Sequence, residues 1–550
     1  MSNLSNLYRI VKHIFLKFNY LKKDYSTAQK YKKLLSHKKK SKTHIFISIT
    51  IHNSPSSKRS SHVKKSYFRG LKKTNCKMKK NVFLTGATGT MGWEGLKELL
   101  RYPEQYDVTI LARKSPKNEK KLAPIADKIH IVWGDLMKYD DVLRGVTGAD
   151  IVLHVGGMVS PSADYFPEKT LKVNVTAAQN VVKAILAQPN ADDIKAVYIG
   201  SVAQTSDRNA PLHWGRTGDP VCSSEFDCYG ISKIIAERVF ADSGLKHWVS
   251  LRQSGILYPG ILKNFDPIMF HVPIKGVLEW ATVEDSGRLL ERVCRDEVPA
   301  EFWNRFYNIS SGPEYRMTNY DFECRILKAT YCPKPEKIFN SNWFVLKNFH
   351  GQYYLDADVL ENYLHFRANM PVDDYFRQLS DGLPGFFKLA KIAPPFVIKM
   401  ALRTLANKKT YGTQYWIKHN DEKRIRAYYG SMEKYRAIPD WKDWDLSDLP
   451  GREHAVHIDH GYDESKPLSE LTVSDLQKAA EFRGGKLVST EYDGDPAKKL
   501  TWQCHDGHTF EASPKLILEG GHWCPECLPP EWNYAEQAKH NPFFAQVYRG

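Results

Sequence analysis

The chain has 550 residues, 42% of them hydrophobic, which is enough apolar material for more than one ordinary domain core. Its formal charge of +17 is concentrated at one end: residues 1–77 hold 20 Lys and Arg against a single acid, Asp24, and the other 473 residues carry −2. The body therefore lacks the electrostatic footprint of a nucleic-acid binder, and no run of about 18 apolar residues marks a spanning helix.

In chain order, the Lys-rich and Ser-rich segment 1–77 cannot bury enough surface to offset its ordering entropy and is expected to stay unfolded. Three readings of it compete: a nucleic-acid or membrane tail, an acid-poor transit peptide, and translated upstream sequence ahead of a start at Met78. The last is favoured, because Met78-Lys79-Lys80-Asn81 stands directly before the first strand. From Met78 to about Gly312, β-branched runs alternate with helical stretches, the rhythm of a doubly wound parallel α/β sheet. Strands are predicted at Asn81–Thr85, Val108–Ala112, Ile129–Trp133, Ile151–Val155, Ala196–Ile199 and Trp248–Leu251. The expected organisation is a dinucleotide-binding domain with a small substrate lobe over 78–330, a helical extension packed on it over 331–450, a linker over 451–467, a small α+β module over 468–530 and a tail over 531–550. Six scattered cysteines without a secretory signal point to a reducing, cytoplasmic setting.

The first strand runs into Thr85-Gly86-Ala87-Thr88-Gly89-Thr90-Met91-Gly92, after which a helix is predicted. In that context Gly86 allows a tight turn, Gly89 a close approach to a pyrophosphate and Gly92 close helix packing, with the amides around Thr90 and Met91 facing the anion. The second strand ends in Arg113, where a site for NAD(H) usually has an acid. A carboxylate there would repel a 2′-phosphate and a guanidinium can pair with one, so NADP(H) is preferred over NAD(H). Asp135 and Leu136 follow the third strand, where the carboxylate could meet the adenine amino group.

Tyr229 and Lys233 stand four apart on a predicted helix, on one face. A phenol with a pKa of about 10 is a poor acid-base group at neutral pH, and a nearby ammonium favours its ionised form. Ser201, directly after a strand, would donate to a substrate oxygen. Ser201, Tyr229 and Lys233 are thus the candidate catalytic residues.

With these motifs in order, residues 78 to about 330 resemble the extended short-chain dehydrogenase/reductase superfamily, the NAD-dependent epimerase/dehydratase group. The matching features are Gly86, Gly89 and Gly92; Gly134-Asp135-Leu136; His154-Val155-Gly156-Gly157; Asn174; Ser201; Tyr229 with Lys233; and Arg252 before Gly255 to Gly260. The resemblance implies a substrate lobe over 254–330 and a homodimer. The stretch after Ser201 lacks the Asp-Glu pair common in the family's dehydratases, so no group for α-proton abstraction stands there. Hydride transfer with a hydrophobic alcohol or ketone, in the manner of hydroxysteroid dehydrogenases or dihydroflavonol reductases, is the preferred function. A nucleotide-sugar epimerase or dehydratase is the alternative, and a cofactor-sensing regulator acting through the C-terminal module is a third.

Apolar residues of the lobe and extension, including Phe270, Phe386, Phe387, Phe396 and Met400, read as ordinary core between helices. A less favoured reading lays 386–405 on a membrane surface, because Lys388, Lys391, Lys399 and Arg403 interleave with the apolar positions. Near the end, Cys504 and His508 at C-x₃-H spacing and Cys524 and Cys527 at C-x₂-C spacing form a tetrahedral ligand set for a structural zinc, with His505 and His522 as neighbours able to substitute for His508. The pattern resembles zinc-ribbon or treble-clef modules, and the module's mixed charge gives no nucleic-acid signal.

Overall fold

The computed structural model describes residues 78–529 and 533–548. The expectations for the basic segment 1–77 lie outside the described residues. Seven strands form one parallel sheet: β1 (Lys80–Thr85), β2 (Tyr106–Ala112), β3 (His130–Trp133), β4 (Ile151–His154), β5 (Lys195–Ser201), β6 (His247–Gln253) and β7 (Arg305–Ile309), in the order β7-β6-β5-β4-β1-β2-β3. The seventh strand was not among the six predicted. Its sequence, Arg-Phe-Tyr-Asn-Ile, is short, and it comes back beside β6 from within the 254–330 stretch assigned to the lobe.

Both faces of the sheet are covered, as parallel strands require. On β1 the side chains alternate: Phe83 enters one core and Val82 and Leu84 the other. The second core closes under helices α1 (Thr90–Leu99) and α7 (Val283–Arg292). Between these in sequence come α2 (Pro116–Leu122), α3 (Tyr139–Val146), the short α4 (Ser162–Tyr165), α5 (Pro167–Leu186) and α6 (Cys228–Ala241). The first core lies under α3, α5 and α6 and continues into the C-terminal segment, where Trp502, Phe510 and Leu516 belong to the same apolar cluster as Tyr198 and Phe240.

That segment holds helix α9 (Val473–Phe482), an antiparallel sheet of β8 (Lys486–Leu487), β9 (Leu500–Gln503) and β10 (Thr509–Ala512), and the short helix α10 (Pro514–Leu518). Residues 451–467, read from sequence as a linker, are pinned to the main body. Arg216 pairs with Glu464, and the buried His460 ring meets Asp219 at 3.0 Å. Polar composition marked a linker there because the partners of Glu464 and His460 lie far away in sequence.

The extension is mostly short helices, including α8 (Pro395–Ala406). Of the residues read as its core, Phe270 and Phe387 are buried, whereas Phe386, Phe396 and Met400 are exposed. Helical spacing alone does not say which face meets a neighbour.

Candidate active site and metal cluster

The sheet order reverses between β1 and β4, and the crevice at the carboxyl ends of these strands is where α/β sheets take nucleotides. Gly86 leaves β1 with φ +74°, and a Cβ there would lie 2.7 Å from the Gly156 nitrogen. A Cβ on Gly92 would lie 2.3 Å from the Gly86 carbonyl oxygen, so the turn closes against both β4 and α1 without room for side chains. Thr85 Oγ1 accepts from the Gly156 amide at 3.0 Å and shares a hydrogen with His154 Nδ1 at 3.0 Å, which ties the two strand ends together. Gly89 is the N-cap of α1 and supplies no side-chain cap, which leaves the amides at Thr90 and Met91 for an anion. The residues present therefore fit a dinucleotide pyrophosphate.

Arg113 follows β2 directly and is exposed; its carbonyl accepts from Asn118 Nδ2 at 2.8 Å. Sequence reasoning missed a second cation: Lys121 on α2 donates to the Thr88 carbonyl at 3.1 Å and stands 4.2 Å over the Trp93 ring. Its signal was the Lys-rich helix after Arg113. Asp135 turns one carboxylate oxygen back on its own loop, accepting from the Met137 amide at 3.0 Å. Leu136 packs against Gly156, its Cδ1 2.8 Å from where a Cβ would stand.

Ser201 ends β5, and Tyr229 and Lys233 occupy the first turns of α6, whose N-terminus Asp227 caps through the Gly230 amide at 2.9 Å. The structure brings all three together. Ser201 stands close enough to the Tyr229 phenol to favour its ionised form, and Lys233 Nζ lies 6.0 Å from the Tyr229 ring centre while donating to the Ile199 carbonyl at 2.7 Å. Asn174 on α5 clamps the neighbourhood, donating to Ser232 Oγ at 2.9 Å and accepting from the Met158 amide at 2.7 Å.

The electrostatics differ from the sequence expectation of an acidified phenol. Burial pushes Tyr229 up to about 12; the Ser201 hydrogen bond opposes this, and the charges of Asp227 and Asp164 add to it. Burial likewise brings Lys233 down to about 8, against the pull of Glu237. Desolvation is the dominant influence on the phenol.

Two acids near Tyr229 come from segments that spacing did not connect with Ser201. Asp164 on α4 is raised to about 6, mainly by burial and then by Asp227, and Asp227 itself meets His350 Nδ1 at 3.2 Å. The α4 segment has no motif, which is why sequence reasoning passed over it.

In the C-terminal segment, ligand atoms of Cys504, His508, Cys524 and Cys527 all lie within 4.8 Å of one another. Cys504 Sγ is 3.4 Å from His508 Nδ1 and 3.6 Å from Cys527 Sγ, and Cys524 Sγ is 3.8 Å from His508 Nδ1. Tetrahedral zinc with its usual bond lengths separates such atoms by about 3.5–3.8 Å, so the donor set fits. The two neighbouring histidines are engaged elsewhere. His505 stacks on His540 at 3.8 Å, and His522 meets Glu237 at 2.8 Å.

Glu237 is the third residue of a Tyr229, Lys233, Glu237 row on α6. It is fully buried with Arg252, which donates to it at 2.6 and 3.0 Å and also to the Gly520 carbonyl at 2.7 Å. Burial alone would raise the Glu237 carboxyl, yet Arg252 and His522 hold it well below the usual carboxylate range. The C-terminal segment is thus joined by buried polar bonds to the helix that carries Tyr229.

Comparison with known proteins shows what part of the chain is similar to. Residues 82–255 match the NAD dependent epimerase/dehydratase family. The matched stretch runs from β1 through β6 and includes the glycine turn, Ser201, Tyr229 and Lys233. Among curated relatives, rat 3 beta-hydroxysteroid dehydrogenase type 7 is 26% identical over 237 residues, 40% of this chain and 67% of that protein. UDP-glucose 4-epimerase of Rickettsia bellii is 27% identical over 129 residues, 22% of this chain and 38% of that enzyme. Solved structures that resemble the chain include dTDP-glucose 4,6-dehydratase from Streptomyces venezuelae with NAD bound, at TM-score 0.44 and 18% identity over 55% of this chain and 95% of that one. Another is Thermus thermophilus UDP-glucose 4-epimerase with NAD, at 0.41 and 16% over 55% and 98%.

Proposed function

We propose that the chain is an NADP(H)-dependent oxidoreductase acting on a hydrophobic alcohol or ketone. The observation that carries this reading is the convergence of Ser201, Tyr229 and Lys233 at the end of β5, beside a glycine turn that fits a pyrophosphate. The nicotinamide, when bound, supplies or takes the hydride. Ser201 holds the substrate oxygen by a hydrogen bond. Tyr229, whose phenol keeps its proton at neutral pH, gives that proton to a carbonyl oxygen as it is reduced, and takes one back in the reverse direction. Lys233, anchored on the Ile199 carbonyl, fixes the positive charge under the ring. Arg113, which directly follows the second strand, and Lys121, whose ammonium reaches the Thr88 carbonyl of the glycine turn, support the phosphate-bearing form of the cofactor.

The cluster of Cys504, His508, Cys524 and Cys527 is proposed to hold one structural zinc, four protein ligands leaving no position open for substrate.

The test is turnover by the full chain with NADPH or NADH across ketosteroids, flavonoids, aldehydes and sugar nucleotides. Oxidation of NADPH by an apolar ketone is expected, with NADH poorer; absence of turnover with every ketone and aldehyde overturns the reading. A second reading, sugar-nucleotide dehydration, is favoured by one observation: Asp164, raised to about 6 beside Tyr229, is a carboxyl able to exchange a proton near neutral pH. Purified protein that retains NAD through gel filtration and eliminates water from a sugar nucleotide would establish it instead.

A further inference from the structure

The extension carries a surface that none of the chemistry above uses. Between Gly382 and Asn420 the sequence has no acid, and it has seven basic residues, among them Lys388, Lys391, Lys399 and Arg403. Over the first half of this stretch, Leu389, Ile392, Phe396 and Met400 follow one another at intervals of three and four, and all are exposed, Ile392 at 70% and Phe396 at 57%. The opposite side of α8, formed by Val397, Ile398, Leu402 and Ala406, is buried against the lobe. Helix α8 is therefore anchored by one face and exposes Phe396 and Met400 on the other, while Leu389 and Ile392 stand exposed in the segment that leads into it, with Lys388, Lys391, Lys399 and Arg403 interleaved. Large side chains in such a row are kept in water at a cost unless something covers them.

We propose that residues 385–406 form an interfacial docking surface for an anionic phospholipid bilayer. Charge selects this occupant: a stretch with only cations flanking its apolar stripe matches a layer of apolar chains beneath anionic headgroups. The chain just past α8 reaches the acids near Tyr229. Tyr411, five residues past α8, meets the Tyr165 ring at 4.3 Å, and Tyr165 neighbours Asp164 and the exposed Phe166. A docked molecule would hold the rim of the crevice close to the apolar phase. The proposal does not depend on the reaction.

The experiment is hydrogen–deuterium exchange of the full chain with and without vesicles of phosphatidylcholine containing about one third phosphatidylserine, paired with co-sedimentation. Amides of 385–406 are expected to gain protection with these vesicles, and less with phosphatidylcholine alone. The double variant Ile392→Asp, Phe396→Asp is expected to lose that protection and about tenfold in partitioning, with its melting temperature unchanged because both positions are exposed. Should this variant not fold, Lys388→Glu with Lys391→Glu reads the same surface through charge, with reduced binding expected. Three results would overturn the proposal. They are no vesicle binding, binding with exchange over 385–406 unchanged so that the basic segment 1–77 carries it, or protection that appears with protein concentration alone because a second copy covers the stripe.

Discussion

Tyr229 is held by two opposing influences, burial that keeps its proton on and a Ser201 hydrogen bond that loosens it. General acid-base catalysis contributes about 10²–10⁴-fold, so Tyr229→Phe is expected to lower turnover by at least the smaller factor while a dinucleotide still binds, as read by single-turnover kinetics and fluorescence titration. Asp164 makes a different prediction, about stability. Its folded value of about 6 stands above the ordinary 3.8, so between these values the folded chain keeps a proton that the unfolded chain has released. Stability from this group is full below about pH 4 and is lost as pH rises through 6. Asp164→Asn should therefore melt about 2–4 °C above the parent at pH 7.5 and together with it at pH 4, by differential scanning calorimetry. Neither the identity of Asp164 nor the role of Glu237 was legible in the sequence. Spacing reveals partners on one helix, as with Tyr229 and Lys233, but Asp164 and His350 reach the site from remote segments by tertiary packing.

The glycine turn is legible because its requirement is local: strand, turn and helix fix where a side chain cannot be. Gly92→Ala should test that requirement, since its Cβ would lie 2.3 Å from the Gly86 carbonyl oxygen. The expected outcome is at least a tenfold loss of dinucleotide affinity by isothermal titration with the far-ultraviolet dichroism retained. The Cys504, His508, Cys524, Cys527 set was equally readable, because ligands close in sequence are close in space. His508 was named from its spacing, with His505 and His522 as possible substitutes, and geometry places His508 with the sulfurs and His522 on Glu237. Cys524→Ser should reduce bound zinc from about one per chain to little, by mass spectrometry of metal content, and lower the melting temperature, since metal binding supplies folding energy to such small sheets.

At the scale of the whole chain, the apolar cluster that starts at Phe83 and ends at Cys524 joins the large sheet to the small one. Elements that share a core unfold together. Calorimetry of the full chain with a strong chelator should thus shift the main transition downward as one peak, and a separate early peak for the C-terminal segment would contradict this. The six predicted strands were found because β-branched runs between glycines announce parallel strands on their own. The shared core was not foreseen, since a run of polar residues at 451–467 suggested a boundary that Arg216 and Asp219 in fact bridge.

The Arg252 and Glu237 pair has a practical consequence. A fragment ending near residue 467 would keep every residue assigned to cofactor and catalysis, yet it would strip His522 and the Gly520 carbonyl from a charged pair built to stay dry. Water would enter behind the helix that carries the phenol, and Trp248 and Phe306 would face solvent. Trimming the chain at that point should yield an insoluble product, so the last eighty residues are as much a floor under the large sheet as an appendage to it.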